Sequence, residues 1–339
     1  MAQIADSFNR RAALARDPRL AELQDWLGRV LGGPPRDLQP LCGDASARRY
    51  FRLTQFDGSR VVMDAPPPED CRSFVTIAET LVGLGLNVPR VLAADLQRGF
   101  LLLSDLGRRH YLDELTDTSA AALYQDALAA LARLQLEADP APLPPYDRNW
   151  LRMELDLFRQ WYLERHLGLV LKGREAAVLE ESFHQLCERA LVQPRVWVHR
   201  DYHSRNLMVT DRNNPGILDF QGAVAGPPSY DLASLLRDCY IRWPRARVED
   251  WVRQHHARLV AGGLEGLADF PAFWQDFEWI GLQRHLKVAG LFVRLQIRDG
   301  KAGYLQDLPR VLGYIREVTG RYAQLAPLEA LLESYGVGS

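Results

Sequence analysis

The chain has 339 residues, 47% of them apolar and 25% charged, with a formal net charge of −2. That length suits two lobes better than one small core, and the near balance of charge argues against nucleic acid or an anionic membrane surface as partner. No apolar run reaches the ~18 residues of a membrane span, the first nineteen residues lack a signal-peptide core, and Cys42, Cys71, Cys187 and Cys239 show no CxxC spacing, so a cytoplasmic protein without zinc or disulfides is expected.

Phe8 to Leu31 reads as a helix, with Leu20, Leu23, Leu27, Val30 and Leu31 at helical spacing and Gly32-Gly33-Pro34-Pro35 as its stop. Ser46 to Leu53 and Arg60 to Asp64 read as strands around an Asp57-Gly58 turn. Glu69 to Leu84 is helical, and Val91 to Ala94 and Gly99 to Leu103 resume strand character. The pattern then turns helical: Ala120 to Glu137 with Thr118 or Ser119 as cap, Trp150 to His166, and Arg174 to Leu191. Short strands follow at Val196 to Val198, Leu207 to Val209 and Gly216 to Phe220, and Tyr230 onward is helical again. The expected organisation is α+β and bilobal: residues 1–104 as a small β-rich nucleotide-binding lobe with its leading helix at about 8–31, and residues 105–339 as a larger, mainly helical catalytic and substrate-binding lobe. A connector near Ser104 to Gly107 joins them.

The chemistry concentrates in His199-Arg200-Asp201, Asn206 five residues on, and Asp219-Phe220 thirteen residues after that. A carboxylate that accepts a hydroxyl proton belongs at the tip of a tight loop, which fits Asp201. An amide returning along that loop can share Mg²⁺ with a second carboxylate, because Mg²⁺ prefers hard oxygen ligands and bridges phosphate oxygens; Asn206 and Asp219 fit. The ordered set H-R-D-x-x-x-x-N then D-F-x is the kinase pattern. A chance polar loop or a metal-hydrolase set of His199, Asp201 and His203 fits less well, since no further ligand cluster supports it. His199 reads as a brace for the loop.

Gly43 to Phe51 stands where a kinase covers the phosphates, with Ser46, Arg48 and Arg49 as candidate phosphate contacts. An ordinary polar hairpin is an equal reading of that stretch alone. Phe100 to Gly107 reads as a strand running into a hinge, where Ser104, Asp105 and Leu106 would meet adenine. ATP and Mg²⁺ are therefore the expected cofactors.

The His199 to Asn206 loop, Asp219-Phe220 and the Leu-Leu-Leu-Ser-Asp-Leu-Gly hinge resemble the aminoglycoside phosphotransferase and choline kinase superfamily. Within it, Gly43 to Phe51, Val61 to Pro67, Leu218 to Ala223, Gly226 to Leu235 and Leu282 to Val288 are similar to the bacterial anomeric kinases of N-acetylmuramate and N-acetylglucosamine that serve peptidoglycan recycling. The resemblance runs from about Gly43 to Arg310. It implies transfer of the γ-phosphate of ATP to the C1 hydroxyl of an amino sugar. It also implies that Asp231 anchors the catalytic loop. One departure is large: the kinase β3 lysine falls near Met63, and no lysine precedes Lys172. Glu79, on the following helix, therefore lacks its usual partner, and Gln221 stands where the metal motif has glycine.

Residues 226–339 carry 13 Asp and Glu against 14 Lys and Arg, without the acidic surplus that polycationic aminoglycosides would favour. His203, Arg205, Gln221, Arg284 and Lys287 are candidate sugar contacts, and the basic stretch of Arg284, Lys287, Arg294 and Arg298 suits a carboxylate such as the lactyl group of N-acetylmuramate. Trp243, Trp274 and Trp279 suit a sugar platform, a choline cage or a core. An aminoglycoside, choline or another sugar as acceptor, or a non-catalytic nucleotide binder, stay open as alternatives.

Overall fold

A computed structural model describes residues 17–41, 48–56 and 58–338. The chain falls into two compact units, one of the residues up to Glu79 with Pro89–Leu106, the other of Thr80–Val88 with Gly107–Ser339.

The first unit holds α1 (Pro18–Leu31), β1 (Leu38–Leu41), β2 (Arg49–Gln55), β3 (Gly58–Asp64), most of α2 (Cys71–Gly83), β4 (Val91–Asp95) and β5 (Phe100–Ser104). The strands form one antiparallel sheet in the order β1-β2-β3-β5-β4. Alternation along the strands puts Phe51, Leu53, Val62, Phe100 and Leu102 into one core with Leu20, Leu23, Trp26 and Leu27 of α1. Each such burial contributes about 1.5–3 kcal/mol. Helix α1 starts at Pro18, later than the spacing suggests, because Asp17 is extended and caps the Arg19 N–H at 2.9 Å. The part of the expected helix before Asp17 lies outside the described residues, as do Ser46 and Asp57. Strand β1 escaped the sequence reading, which has no element between Pro35 and Ser46. At Gly99, φ is +74° and an added Cβ would stand 2.0 Å from the Ala65 oxygen. Only glycine allows the Ala65 N–H to bond the Gly99 carbonyl at 2.8 Å.

The second unit is mostly helical: α3 (Tyr111–Glu114), α4 (Ala120–Glu137), α5 (Arg148–Leu157), α6 (Gly173–Leu191), α7 (Ser229–Leu236), α8 (Arg245–Ala261), α9 (Phe270–Asp299), α10 (Leu308–Thr319) and α11 (Ala326–Ser334). Between α6 and α7 lie β6 (Val196–Val198) paired with β9 (Val224–Gly226), and β7 (Leu207–Met208) paired with β8 (Gly216–Ile217). The expected strand to Phe220 stops at Ile217, and a 3₁₀ turn takes Phe220–Gly222. The expected helix to His166 changes at Phe158 into a π-helical segment, Phe158–His166. The expected helical run after Tyr230 is broken by Pro244, by Gly262-Gly263 and by Gly300 in the left-handed conformation. Ser119 precedes α4 without capping it; its hydroxyl bonds the Glu114 carbonyl at 2.6 Å instead.

Helix α9 is buried on nearly all sides, as suits a central core helix. It packs against α5, the π-helical segment, α6, α7 and α10. Trp243, Trp274 and Trp279 are all buried in aromatic or cationic contacts, so they are core side chains. Among the described residues no helix is long and apolar enough to cross a membrane. Cys71, Cys187 and Cys239 are buried thiols.

Candidate active site

Strand β6 is buried along its length and delivers the loop His199 to Asn206. The loop is held by its backbone. Asp231 of α7, fully buried, accepts the His199 N–H at 2.6 Å and the Arg200 N–H at 2.9 Å. Arg200 sits at φ +78°, an unfavourable conformation for a side chain that costs about 1–3 kcal/mol and persists where the surroundings over-determine it. The Asp231 bonds supply that constraint. His199 is the expected brace: its Nε2 meets the Leu218 carbonyl at 2.9 Å. Burial holds its pKa down at about 4, so the ring is neutral at physiological pH.

Arg200 reaches back to Glu154 of α5 at 2.5 Å. Glu154 is almost fully buried and also pairs with Lys287 at 2.9 Å and accepts the Tyr146 hydroxyl. Burial would raise this carboxyl, but Lys287 and Arg200 lower it, and it stays ionised. The sequence reading missed Glu154. Its signal was a charge three residues after Leu151 and one before Leu155, on the apolar stripe of α5.

Asn206 donates its Nδ2 to the Asp201 carbonyl at 3.0 Å, and its own carbonyl accepts the Leu218 N–H at 2.9 Å. A carbonyl only accepts, so the amide orientation is fixed and Oδ1 is the atom left for a ligand. The Leu218 bond draws the end of β8, and Asp219 after it, beside Asn206. Asp219 is itself left-handed at φ +62° and receives the Gln221 amide N–H. Gln221 thus orients a carboxylate where the motif has glycine. An amide oxygen plus a carboxylate are hard donors that fit Mg²⁺, which takes one or two protein ligands and completes its shell with water and phosphate. Among the described residues no cluster of three His, Cys, Asp or Glu competes as a metal site.

Asp201 remains partly exposed. Burial pushes its carboxyl up, but Lys287, His203, Arg284 and Arg200 together pull it down to about 2. Burial raises Asp231 to about 7, against its two N–H donors.

The remaining candidates separate by what they already hold. Lys287 and Arg284 of α9 are buried, the first on Glu154 and the Tyr230 hydroxyl, the second with Nη1 3.2 Å from the Cys239 sulfur. Arg205 lies over the Tyr240 ring at 3.6 Å, and His203 meets the same ring edge-on at 5.5 Å. The residue between them is fixed by the Ser204 N–H, which bonds Asp238 at 2.9 Å. Tyr240 and Asp238 were also missed, because the chain brings them in from beyond α7.

In the first unit Arg48 pairs with Glu69 at 3.2 Å. Arg49 is held by Asp64 and Asp17, the setting of a structural clamp. Asp105 takes a two-pronged pair from Arg52 at 2.6 and 3.0 Å. Ser104 exchanges bonds with Arg90, its hydroxyl accepting the Arg90 N–H at 2.8 Å. Leu106 is half-buried. Met63 is fully buried and Glu79 is exposed.

Residues 37–272 match the Phosphotransferase enzyme family. Over 337 residues the chain is 45% identical to an N-acetylmuramate/N-acetylglucosamine kinase of Pseudomonas aeruginosa, covering 96% of this chain and 99% of that one. A kinase of the same description from Pseudomonas putida is 44% identical over 334 residues, with 95% and 98% covered. Among solved structures, an ADP-bound aminoglycoside phosphotransferase is similar with a TM-score of 0.56 at 16% identity, covering 88% of this chain and 98% of that one. A choline kinase from Streptococcus pneumoniae gives 0.60 at 12% identity, with the same coverage. These structural likenesses show the fold: α+β and protein-kinase-like, as the sequence led one to expect.

Proposed function

This chain belongs to the Phosphotransferase enzyme family, and on that premise we propose that it is an ATP- and Mg²⁺-dependent kinase acting on the anomeric C1 hydroxyl of N-acetylmuramate and N-acetylglucosamine. Relatives named N-acetylmuramate/N-acetylglucosamine kinase, 44–45% identical over nearly their whole length, support the amino-sugar acceptor. The observation that carries the reaction is the loop anchored on Asp231, where Asn206 bonds the Asp201 carbonyl and takes the N–H of Leu218, the residue before Asp219.

In this reading the sugar hydroxyl oxygen forms a bond to the γ-phosphorus, the bond from that phosphorus to the β–γ bridging oxygen breaks, and ADP leaves. The hydroxyl proton passes to Asp201. A carboxyl held near 2 is a weak base toward a ground-state alcohol. Asp201 therefore works first as an ionised acceptor that aims the hydroxyl, and takes its proton late, as suits a loose phosphoryl-transfer transition state. Asn206 and Asp219 are the ligands for Mg²⁺, which when bound neutralises phosphate charge. Arg48 and the backbone of Ser104 to Leu106 are the nucleotide contacts within the first unit. The reaction belongs to the cytoplasm and to the recycling of peptidoglycan amino sugars; the buried thiols suit that reducing compartment.

The test is ATP consumption with Mg²⁺ against N-acetylmuramate, N-acetylglucosamine, choline and kanamycin, with phosphorus NMR on the product. An anomeric sugar phosphate is expected. Asp201→Asn should lower kcat by a factor on the order of 10²–10⁴ with the fold intact. Turnover of choline or kanamycin alone removes the amino-sugar reading.

A further inference from the structure

Arg200, Arg205, Arg284 and Lys287 all belong to the charged surroundings of the catalytic loop, but they are not equally able to take an anion. Arg200 and Lys287 are both spent on Glu154, at 2.5 and 2.9 Å. Arg284 is buried against Cys239. Arg205 differs. Its side chain is 35% exposed, and its ion pair with Asp307 Oδ2 is loose, at 3.9 Å and beyond hydrogen-bond reach. Asp307 gives its other oxygen to Arg310 at 2.7 Å.

The setting of Arg205 also prepares it. Its guanidinium carbon lies 3.6 Å from the Tyr240 ring centroid and 6.0 Å from that of Tyr304. The cation–π contact restrains the guanidinium, and about a third of the side chain stays exposed, so less entropy remains to be lost on binding. Beside it His203 is 9% exposed, packs edge-on to the same Tyr240, and has an Nδ1 without a hydrogen-bond partner. A buried polar atom in that condition is costly unless a ligand or water completes it. One aromatic platform thus carries a pre-oriented cation and an unfilled polar atom, on the loop that holds Asp201.

We infer that Arg205 is the specificity residue that reads the carboxylate of the lactyl ether, the group that N-acetylmuramate has and N-acetylglucosamine lacks, with His203 turned to the same sugar. The inference rests on the amino-sugar kinase reading and refines it: the buried Arg284 and Lys287, which the sequence offered for this carboxylate, stay with their protein partners. A planar fork matches a carboxylate through two parallel N–H bonds, which a single ammonium does not.

The experiment measures kcat and KM of the full chain and of Arg205→Ala and Arg205→Lys with both sugars and with ATP. Loss of a charge-assisted pair should lower kcat/KM for N-acetylmuramate by about tenfold to a hundredfold, mainly through KM, and shift the preference between the sugars by at least about tenfold. Lysine should restore part of it. The neutral lactamide of N-acetylmuramate should lose a similar factor with the wild-type chain and little more with Arg205→Ala. Equal losses for both sugars, a raised KM for ATP shared by both, or a lactamide penalty unchanged in Arg205→Ala would each overturn the assignment. Wild-type turnover of N-acetylglucosamine tests the underlying reading separately, and Arg205→Lys serves if the alanine variant does not fold.

Discussion

Asp64 is fully buried on β3, next to Met63. Its two oxygens take Arg19 from α1 and Arg49 from β2, each with an Nε contact of 2.8 Å, and Arg49 also binds Asp17 at the cap of α1. A buried carboxylate is tolerated only while paired. Arg49 therefore ties the first helix to the sheet, and the phosphate role suggested by its position beside Arg48 is the weaker account of it. Arg49→Ala should lower stability by about 1–2 kcal/mol, because Arg19 still pairs Asp64 and Arg49 is partly screened. Thermal unfolding and the KM for ATP decide between the two roles. A lowered Tm is expected; an unchanged Tm with a raised KM for ATP would return Arg49 to the nucleotide. The candidate residues that the sequence singles out by spacing, Asp201, Asn206 and Asp219, are those whose geometry is local, set by one loop and the strand after it. Glu154, Asp238 and Tyr240 reach the loop from other helices or connections, and no spacing rule links them to it.

Helix α9 meets the end of α5 where the chain changes from α to π geometry. The contact is made at Gly290: a Cβ there would stand 2.2 Å from the Leu157 carbonyl carbon and oxygen and 2.6 Å from the Phe158 nitrogen. Backbone atoms cannot rotate away as a side chain can, so the helices would have to separate. Gly281, earlier in the same helix, is the control, since its added Cβ would meet Arg237 Cδ at 3.6 Å and Ala233 Cβ at 3.7 Å, ordinary contacts. Gly290→Ala should therefore cost about 2–3 kcal/mol or more as an overpacked core site. Gly281→Ala should be neutral or stabilising by up to about 1 kcal/mol through helix propensity. Urea unfolding of both variants checks this, and equal effects would refute the close-packing account. The same contact explains a misread element. Periodicity carries a helix from Trp150 to His166 because both helix types bury one face, and the change of pitch at Phe158 comes with a partner more than a hundred residues away. Where a stop was written in local chemistry, as Gly32 closing α1, the boundary was legible.

The order of elements, a β-rich stretch followed by a long helical one, was readable because strand alternation and helical spacing are local patterns. The pairing of β6 with β9 was not, since it joins segments about thirty residues apart by backbone bonds that carry no side-chain signature. Nor was the neutral state of several histidines, which depends on what the whole second unit folds around them. His199, His255 and His285 are buried, with ring nitrogens on the Leu218 carbonyl, the Gln135 side-chain oxygen and the Arg237 carbonyl. Burial, joined by neighbouring cations at His255 and His285, lowers them to about 4, 3 and 3, and His203 shifts the same way. A histidine depressed in the folded state contributes stability that is complete above the unfolded value near 6.5 and is lost as pH falls toward the folded value, because only the unfolded chain takes up the proton. Asp231 works in the opposite sense: raised to about 7, it binds a proton in the folded state first and offsets about one histidine over the same window. Setting Asp231 against the three rings held near 3 to 4 leaves two uncompensated protons, which at about 1.4 kcal/mol per pH unit correspond to a loss of about 4 kcal/mol between pH 6.5 and pH 5, and His203 adds in the same direction. Thermal unfolding should thus show Tm steady from about pH 8 to pH 7 and falling steeply below about pH 6.5. His255→Gln, which can still bond Gln135 without titrating, should flatten that slope by about one proton's worth. A Tm that stays level down to about pH 5, or a slope that His255→Gln leaves untouched, would mean that these rings take up protons while folded.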